Sequence, residues 1–219
     1  MEMDDFNDLQ GAILPDSAKR KVFKKPDPPM YLEAPSWGSQ VPYGGGGTRV
    51  TAVLGINMQG LYVNGSATVQ PPQPDPLMTN LAKHYGKYNW MSGHLLNRNF
   101  GGRGDEDKNL TALTASGNSQ HSALENIVYQ ALYSANGWYA DAKRPSVIPG
   151  IRYTVRVSSK KWASTQYIDK VTNRLYVSAE TVGWDLDRET LVDIGSGDSD
   201  FPATYRKANF TEERVDNTN

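Results

Sequence analysis

The stretch Asn118–Gly137, "NSQHSALENIVYQALYSANG", most constrains the fold. Its apolar residues Leu124, Ile127, Val128, Ala131 and Leu132 fall at i, i+3, i+4, i+7 and i+8, the spacing of one helix face. Gly137 after Asn136 predicts the stop. A one-sided helix must lay its apolar stripe on something, and the flanking sequence supplies strands. "RVTAVLGINMQGLYVNGSATV" (49–69) alternates β-formers with turn residues, and Asn64-Gly65 predicts a hairpin. "GIRYTVRVSS" (150–159), "QYIDKVTNRLYVSAE" (166–180) and "VGWDLD" (182–187) predict two or three further strands. "LMTNLAKHYGKY" (77–88) suits a short helix or turn. The fold class is therefore α+β, with antiparallel strands around one long helix.

Residues 1–48 lack a sustained period. They hold an acidic start, a basic run at Lys19–Lys25, closely spaced prolines and four glycines at 44–47. They are expected to be a flexible arm, with delivery or docking as its sharper reading. Residues 49–195 are expected to form the folded domain, and 196–219 a polar tail. Zero cysteines removes disulfides and cysteine-ligated zinc from consideration. No stretch approaches a membrane span, and the start "MEMDDFNDLQ" shows no Sec-type signal, so no membrane partner is expected. A net charge of −1 argues mildly against a nucleic-acid binder, although local basic clusters can still hold phosphate.

Just before the helix, "WMSGHLLNRNFGGRGDEDKNLTALTASGNSQH" (Trp90–His121) contains two of the three histidines. His94 precedes a glycine loop, Asn109 opens a second strand "NLTALT", and Asn118 stands at the front of the helix. A metal-dependent phosphodiesterase needs these parts. A histidine can take a proton from water near neutral pH. A hard divalent cation neutralises phosphate charge, and an Asn carbonyl suits Mg²⁺. A further Asn can brace the histidine's loop. Gly101 and Gly102 would let that loop approach a phosphate.

The order "GHLLN…GG…NLTALT…N…H…E" (Trp90–Glu125) resembles the ββα-metal, or His-Me, finger of DNA/RNA non-specific endonucleases and HNH nucleases. It is especially similar to toxin domains of bacterial contractile-injection and polymorphic-toxin systems. The resemblance covers roughly a sixth of the chain. It implies His94 as general base, Asn118 as ligand of one catalytic Mg²⁺ (with Mn²⁺ as substitute), and Asn109 as the loop-bracing asparagine. Glu125 lies one position short of the family's acid that binds metal-bound water, and His121 is one position off the second histidine of HNH enzymes, where Ser122 stands. Both are supporting candidates. The Asp-Arg pair that typically precedes Gly-His is replaced by Met91 and Ser92. Arg98 or Arg103 is then the candidate phosphate-binding cation. Arg152 and Arg156 share a strand face and, with Lys160 and Lys161, could wall a groove for a phosphodiester backbone.

The resemblance implies a low-specificity nuclease acting on DNA, RNA or both, working as a bacterial toxin effector. An immunity protein and a secretion or injection apparatus are its implied partners. Such a protein stays in the producer's cytoplasm and then leaves by a route that reads no Sec signal. The alternative is a catalytically degenerate finger serving as a binding or structural module of a secretion particle.

Overall fold

The computed structural model describes residues 25–41, 46–58, 76–142, 145–162 and 168–218. In chain order the strands are β1 (Tyr31–Trp37), β2 (Gln40–Val41), β3 (Gly46–Gly47), β4 (Arg49–Gly55), β5 (Met91–His94), β6 (Leu110–Leu113), β7 (Val147–Val157), β8 (Arg174–Asp185), β9 (Thr190–Asp193) and β10 (Phe210–Asp216). The helices are α1 (Pro76–Tyr85), α2 (Ala115–Asp141) and α3 (Ala203–Arg206). The α+β class expected from the sequence is what the structure has.

Six strands make one antiparallel sheet in the order β1-β4-β7-β8-β10, with β9 also paired to β8. Alternation gives it one apolar face. On β7, Ile151, Tyr153 and Val155 are buried, whereas Arg152, Thr154 and Arg156 point the other way and keep contact with solvent. The helix α2 lies on the apolar face. Its Val128, Leu132, Ala135 and Tyr139 join Ile151, Tyr153, Val155, Leu175 and Val177 in the main core. Each valine, leucine or isoleucine among them contributes about 1.5–3 kcal/mol before the entropy of ordering is set against it.

The helix runs past the expected stop at Gly137. Tyr139 continues the buried stripe, and an added Cβ at Gly137 would meet only open space. Lys25 closes the far end. Its Nζ donates to the carbonyls of Tyr139 and Ala140 at 2.7 Å each, placing a cation on the negative end of the helix. At the near end, Thr114 Oγ1 accepts from Gly117 N at 3.1 Å and is the N-cap.

The expected arm and tail limits fall inside the folded unit. β1 pairs with β4, and β10 pairs with β8. Tyr205 of α3 is fully buried, with its hydroxyl 2.7 Å from the carbonyls of Gly150 and Val182. These segments read as polar because both strands lie at the sheet's borders and bury few side chains. In β10 only Val215 is fully buried. The expected Asn64-Gly65 hairpin lies outside the described residues. Among those described, no helix is long and apolar enough to cross a membrane.

A second, two-stranded sheet positions the candidate site. β5 and β6 pair antiparallel, His94 facing Leu110, and β6 leads directly into α2. A small core of Leu77, Leu81, Ala112, Ile168 and Val171 fastens this hairpin to α1.

Candidate active site

Residues 91–141 thus form strand, loop, strand and helix, with His94 as the last residue of the first strand. Leu95 and Leu96 follow it into the main core and are fully buried. They pin the chain on the C-terminal side of the imidazole.

Asn109 holds the loop. Its Oδ1 accepts from Leu96 N at 2.8 Å, and its Nδ2 donates to Leu96 O at 3.0 Å and Arg103 O at 2.9 Å. The residue is fully buried, so these bonds are shielded from water. Gly102 permits this closure, because an added Cβ would stand 1.7 Å from Leu96 O. Gly101 takes a left-handed conformation at φ 79°, and the Tyr31 hydroxyl donates to the neighbouring Phe100 carbonyl. The two glycines expected to admit a phosphate are therefore accounted for by packing within the protein.

On α2 the buried face begins with polar groups. Gly117, His121 and Glu125 precede Val128, Leu132, Ala135 and Tyr139 on the same stripe. His121 and Glu125 belong to the buried stripe itself. They are its first two turns, whereas Ile127, counted as apolar stripe, is 41% exposed. His121 Nε2 lies 2.8 Å from the Tyr153 hydroxyl and 3.8 Å from Glu125 Oε1. Glu125 Oε2 accepts from Asn97 Nδ2 at 2.7 Å. Glu125 Oε1 is buried with no hydrogen-bond partner.

Burial sets the protonation states here. It pushes the His121 imidazole down to about 4, helped by the nearby positive charge of His94 when protonated. It pushes the Glu125 carboxyl up to about 7, against the opposing hydrogen bond from Asn97. His121 is therefore neutral at physiological pH, and its approach to Glu125 is not an ion pair. Burial likewise drives the Tyr153 phenol up, with the Glu125 charge adding to it.

His94 is half-buried. Burial first, and the Arg98 guanidinium second, hold its imidazole below the usual range. Arg98 sits in the single turn Arg98–Phe100, which Asn97 caps by accepting from Asn99 N at 2.9 Å. Asn97 thus fixes the arginine's turn with one side-chain atom and holds Glu125 with the other.

The structure brings His94, Arg98, His121 and Glu125 into one electrostatic neighbourhood, with Asn109 bracing the loop. Asn118 is half-buried and one turn ahead of His121 on α2. At 100° per residue these two share a helix side. Because Thr114 is the cap, the Asn118 amide is not consumed in that role. Arg103 stands apart. It is exposed, and Asp105 holds it in a two-pronged pair at 2.9 and 2.7 Å, with Glu106 at 3.5 Å. Arg152 and Arg156 do not reach this side at all. Alternation sends them to the sheet face opposite Tyr153, where Arg152 meets Glu180 at 2.6 Å and Arg156 pairs with Glu212. The expected groove wall is thus excluded from the His94 neighbourhood.

Two oxygen donors of the type a hard cation takes stand on this side of α2, seven residues apart. Asn118 offers an amide oxygen, and Glu125 Oε1 is a buried oxygen without a partner. Among the described residues no three His, Asp or Glu side chains gather as ligands. A mostly hydrated Mg²⁺ needs no such group.

Sequence reasoning missed Asn97 and Tyr153. Asn97 had a signal, standing three residues after His94 and two before Asn99, where an Asn side chain caps a turn. Tyr153 had only its apolar alternation on β7. Comparison with family models, curated proteins and solved structures finds no match to this chain.

Proposed function

We propose that this chain is a metal-dependent endonuclease of low sequence specificity, cleaving phosphodiester bonds in DNA, RNA or both through a ββα-metal finger. The supporting observation is the strand–loop–strand–helix unit that sets a neutral-leaning His94 beside Arg98, on a loop closed by Asn109. Low specificity is what the resemblance of residues 90–125 to non-specific endonucleases implies.

His94 accepts a proton from the attacking water. Its depressed proton affinity keeps the imidazole free at neutral pH, the state a general base requires. Arg98 is exposed beside it and meets a phosphate oxygen, supplying the cation that Met91 and Ser92 cannot. Asn118 would hold Mg²⁺ through its amide oxygen, and Glu125, whose Oε1 is unpartnered, would support that ion through bound water. When bound, Mg²⁺ (or Mn²⁺ in its place) supplies charge neutralisation on the phosphate and at the departing 3′-oxygen. Asn109 and Asn97 keep the imidazole and the helix in fixed relation.

The toxin role, an immunity partner and delivery by an injection or secretion apparatus rest on the resemblance of residues 90–125 and belong to the same proposal. The test is incubation of the full chain with supercoiled plasmid and with structured RNA, with and without millimolar Mg²⁺. Nicking that needs the metal is the expected result. Both substrates intact at high protein concentration would leave the binding-module alternative standing in its place.

A further inference from the structure

We propose that Tyr88, Trp90 and Trp162 form a base-stacking platform for unpaired DNA or RNA, set on the strand that ends in His94. Its orientation toward a cleavage site rests on the nuclease reading; the platform itself rests on its own geometry. The three rings meet edge to face or tilted, with centroids 5.9 Å apart for Tyr88 and Trp90, 4.7 Å for Tyr88 and Trp162, and 5.1 Å for Trp90 and Trp162. All three are half-buried. Both indole N–H groups are already used inside the protein. Trp90 Nε1 donates to Tyr85 O at 3.0 Å, and Trp162 Nε1 donates to Asn217 O. The rings are thereby fixed in direction, and the area they keep toward solvent offers stacking rather than hydrogen bonding.

Charge around the rings suits a polyanion. Residues 77–94 contain Lys83 and Lys87 and no acid, and Lys160 and Lys161 directly precede Trp162, with Asp169 the acid that acts on Lys161. Lys87 Nζ lies 4.8 Å from the Tyr88 ring centre. Aromatic faces interleaved with lysines bind single strands with little sequence preference, because every base has a π face and every nucleotide a phosphate. A duplex keeps its bases stacked on one another, so the substrate class is single-stranded or locally opened nucleic acid.

Placement links the rings to His94. Trp90 directly precedes β5, and Ser92 pairs with Ala112, which packs in the same small core as Trp90 and Trp162. Period-2 alternation then carries Trp90, Ser92 and His94 along one face of the hairpin. Between the ends, Ser92 lines a small recess of about 10 Å³ together with Met78, Leu110 and Asp107. At about 3.3 Å per residue, four residues separate the platform from the imidazole by roughly 13 Å.

The test uses the full chain carrying His94→Ala, in EDTA, so that binding is read without cleavage. A labelled oligothymidine and the same backbone with abasic sugars are titrated by fluorescence anisotropy. The oligothymidine is expected to bind roughly tenfold more tightly than the abasic strand. Tyr88→Leu and Trp162→Leu remove that preference while abasic affinity stays put, which also certifies the fold; Trp162→Phe retains most of it. Equal affinity for both strands, or a preference that survives Tyr88→Leu, overturns the platform. Plasmid cleavage by the parent chain is scored separately. Preference without cleavage supports the platform and removes the nuclease reading. Cleavage without preference overturns the platform and leaves the nuclease reading intact.

Discussion

Asn97 Nδ2 donates to Glu125 Oε2 across 2.7 Å, tying the loop after His94 to a helix 28 residues further along the chain. Replacing Asn97 by Ala leaves that carboxylate oxygen buried and without its donor, and also uncaps the turn that carries Arg98. A loss of about 1–3 kcal/mol in stability is expected. Urea unfolding followed by tryptophan fluorescence measures it, and an unchanged midpoint would mean the bond is not kept in solution.

Two buried groups give stability a pH dependence of opposite signs. Glu125 has its proton affinity raised from 4.5 to about 7 in the folded chain, so its contribution is full below pH 4.5 and lost as pH rises through 7. His121 is lowered from 6.5 to about 4, so its contribution is full above pH 6.5 and lost as pH falls through 4. Between these limits the two trends oppose each other. Glu125→Gln removes one of them. Measured in EDTA, its stability relative to the parent should climb between pH 4.5 and 7 by roughly 3 kcal/mol. A difference that stays flat over that window would show that Glu125 is not desolvated.

Cleavage should separate the two loop arginines. His94→Ala is expected to lose at least about a hundredfold in rate with its circular dichroism unchanged, as removal of a general base does. Arg98→Ala relieves one of the two causes that depress the imidazole, so the acid limb of the pH–rate profile moves to higher pH. Substrate affinity should fall with it. Arg103→Ala should leave both quantities near parental values, since Asp105 and Glu106 already hold that guanidinium. A profile that moves only in Arg103→Ala would reverse the assignment.

Asn109→Ala strips one acceptor and two donated bonds from a fully buried loop. About 3 kcal/mol of destabilisation is expected, since the backbone groups of Leu96 and the Arg103 carbonyl lose their partner. Amide hydrogen exchange should report it first at Leu96, whose N–H loses its acceptor. Retained protection there would mean another group has taken the amide's place.

Much of this architecture was legible because it is periodic. The α2 stripe from Val128 to Leu132 and the alternation in "YTVRV" follow directly from burial of one face. The helix end was not, because its cap, Lys25, comes from a segment that carries no period of its own. β10 was missed for a related reason: "FTEERVD" buries little, and backbone pairing with β8 leaves no mark on side-chain chemistry. Within the candidate site, His94, Asn109 and Asn118 were visible through their order. The depth of His121 was not, since its place depends on Tyr153, 32 residues away. The arginines of β7 were read correctly as one face, but the side of the sheet it lies on was not legible, because alternation says which residues go together and not what covers them.

Asn217 joins Thr114 N at 2.7 Å, Ala112 O at 3.0 Å and Thr172 O at 2.9 Å, and an added Cβ on Gly117 would crowd it. The start of the long helix is thus completed by a residue made 103 positions later. The hairpin, the helix start and the segment after β10 are therefore knotted at one buried amide, so loosening any of the three loosens the others.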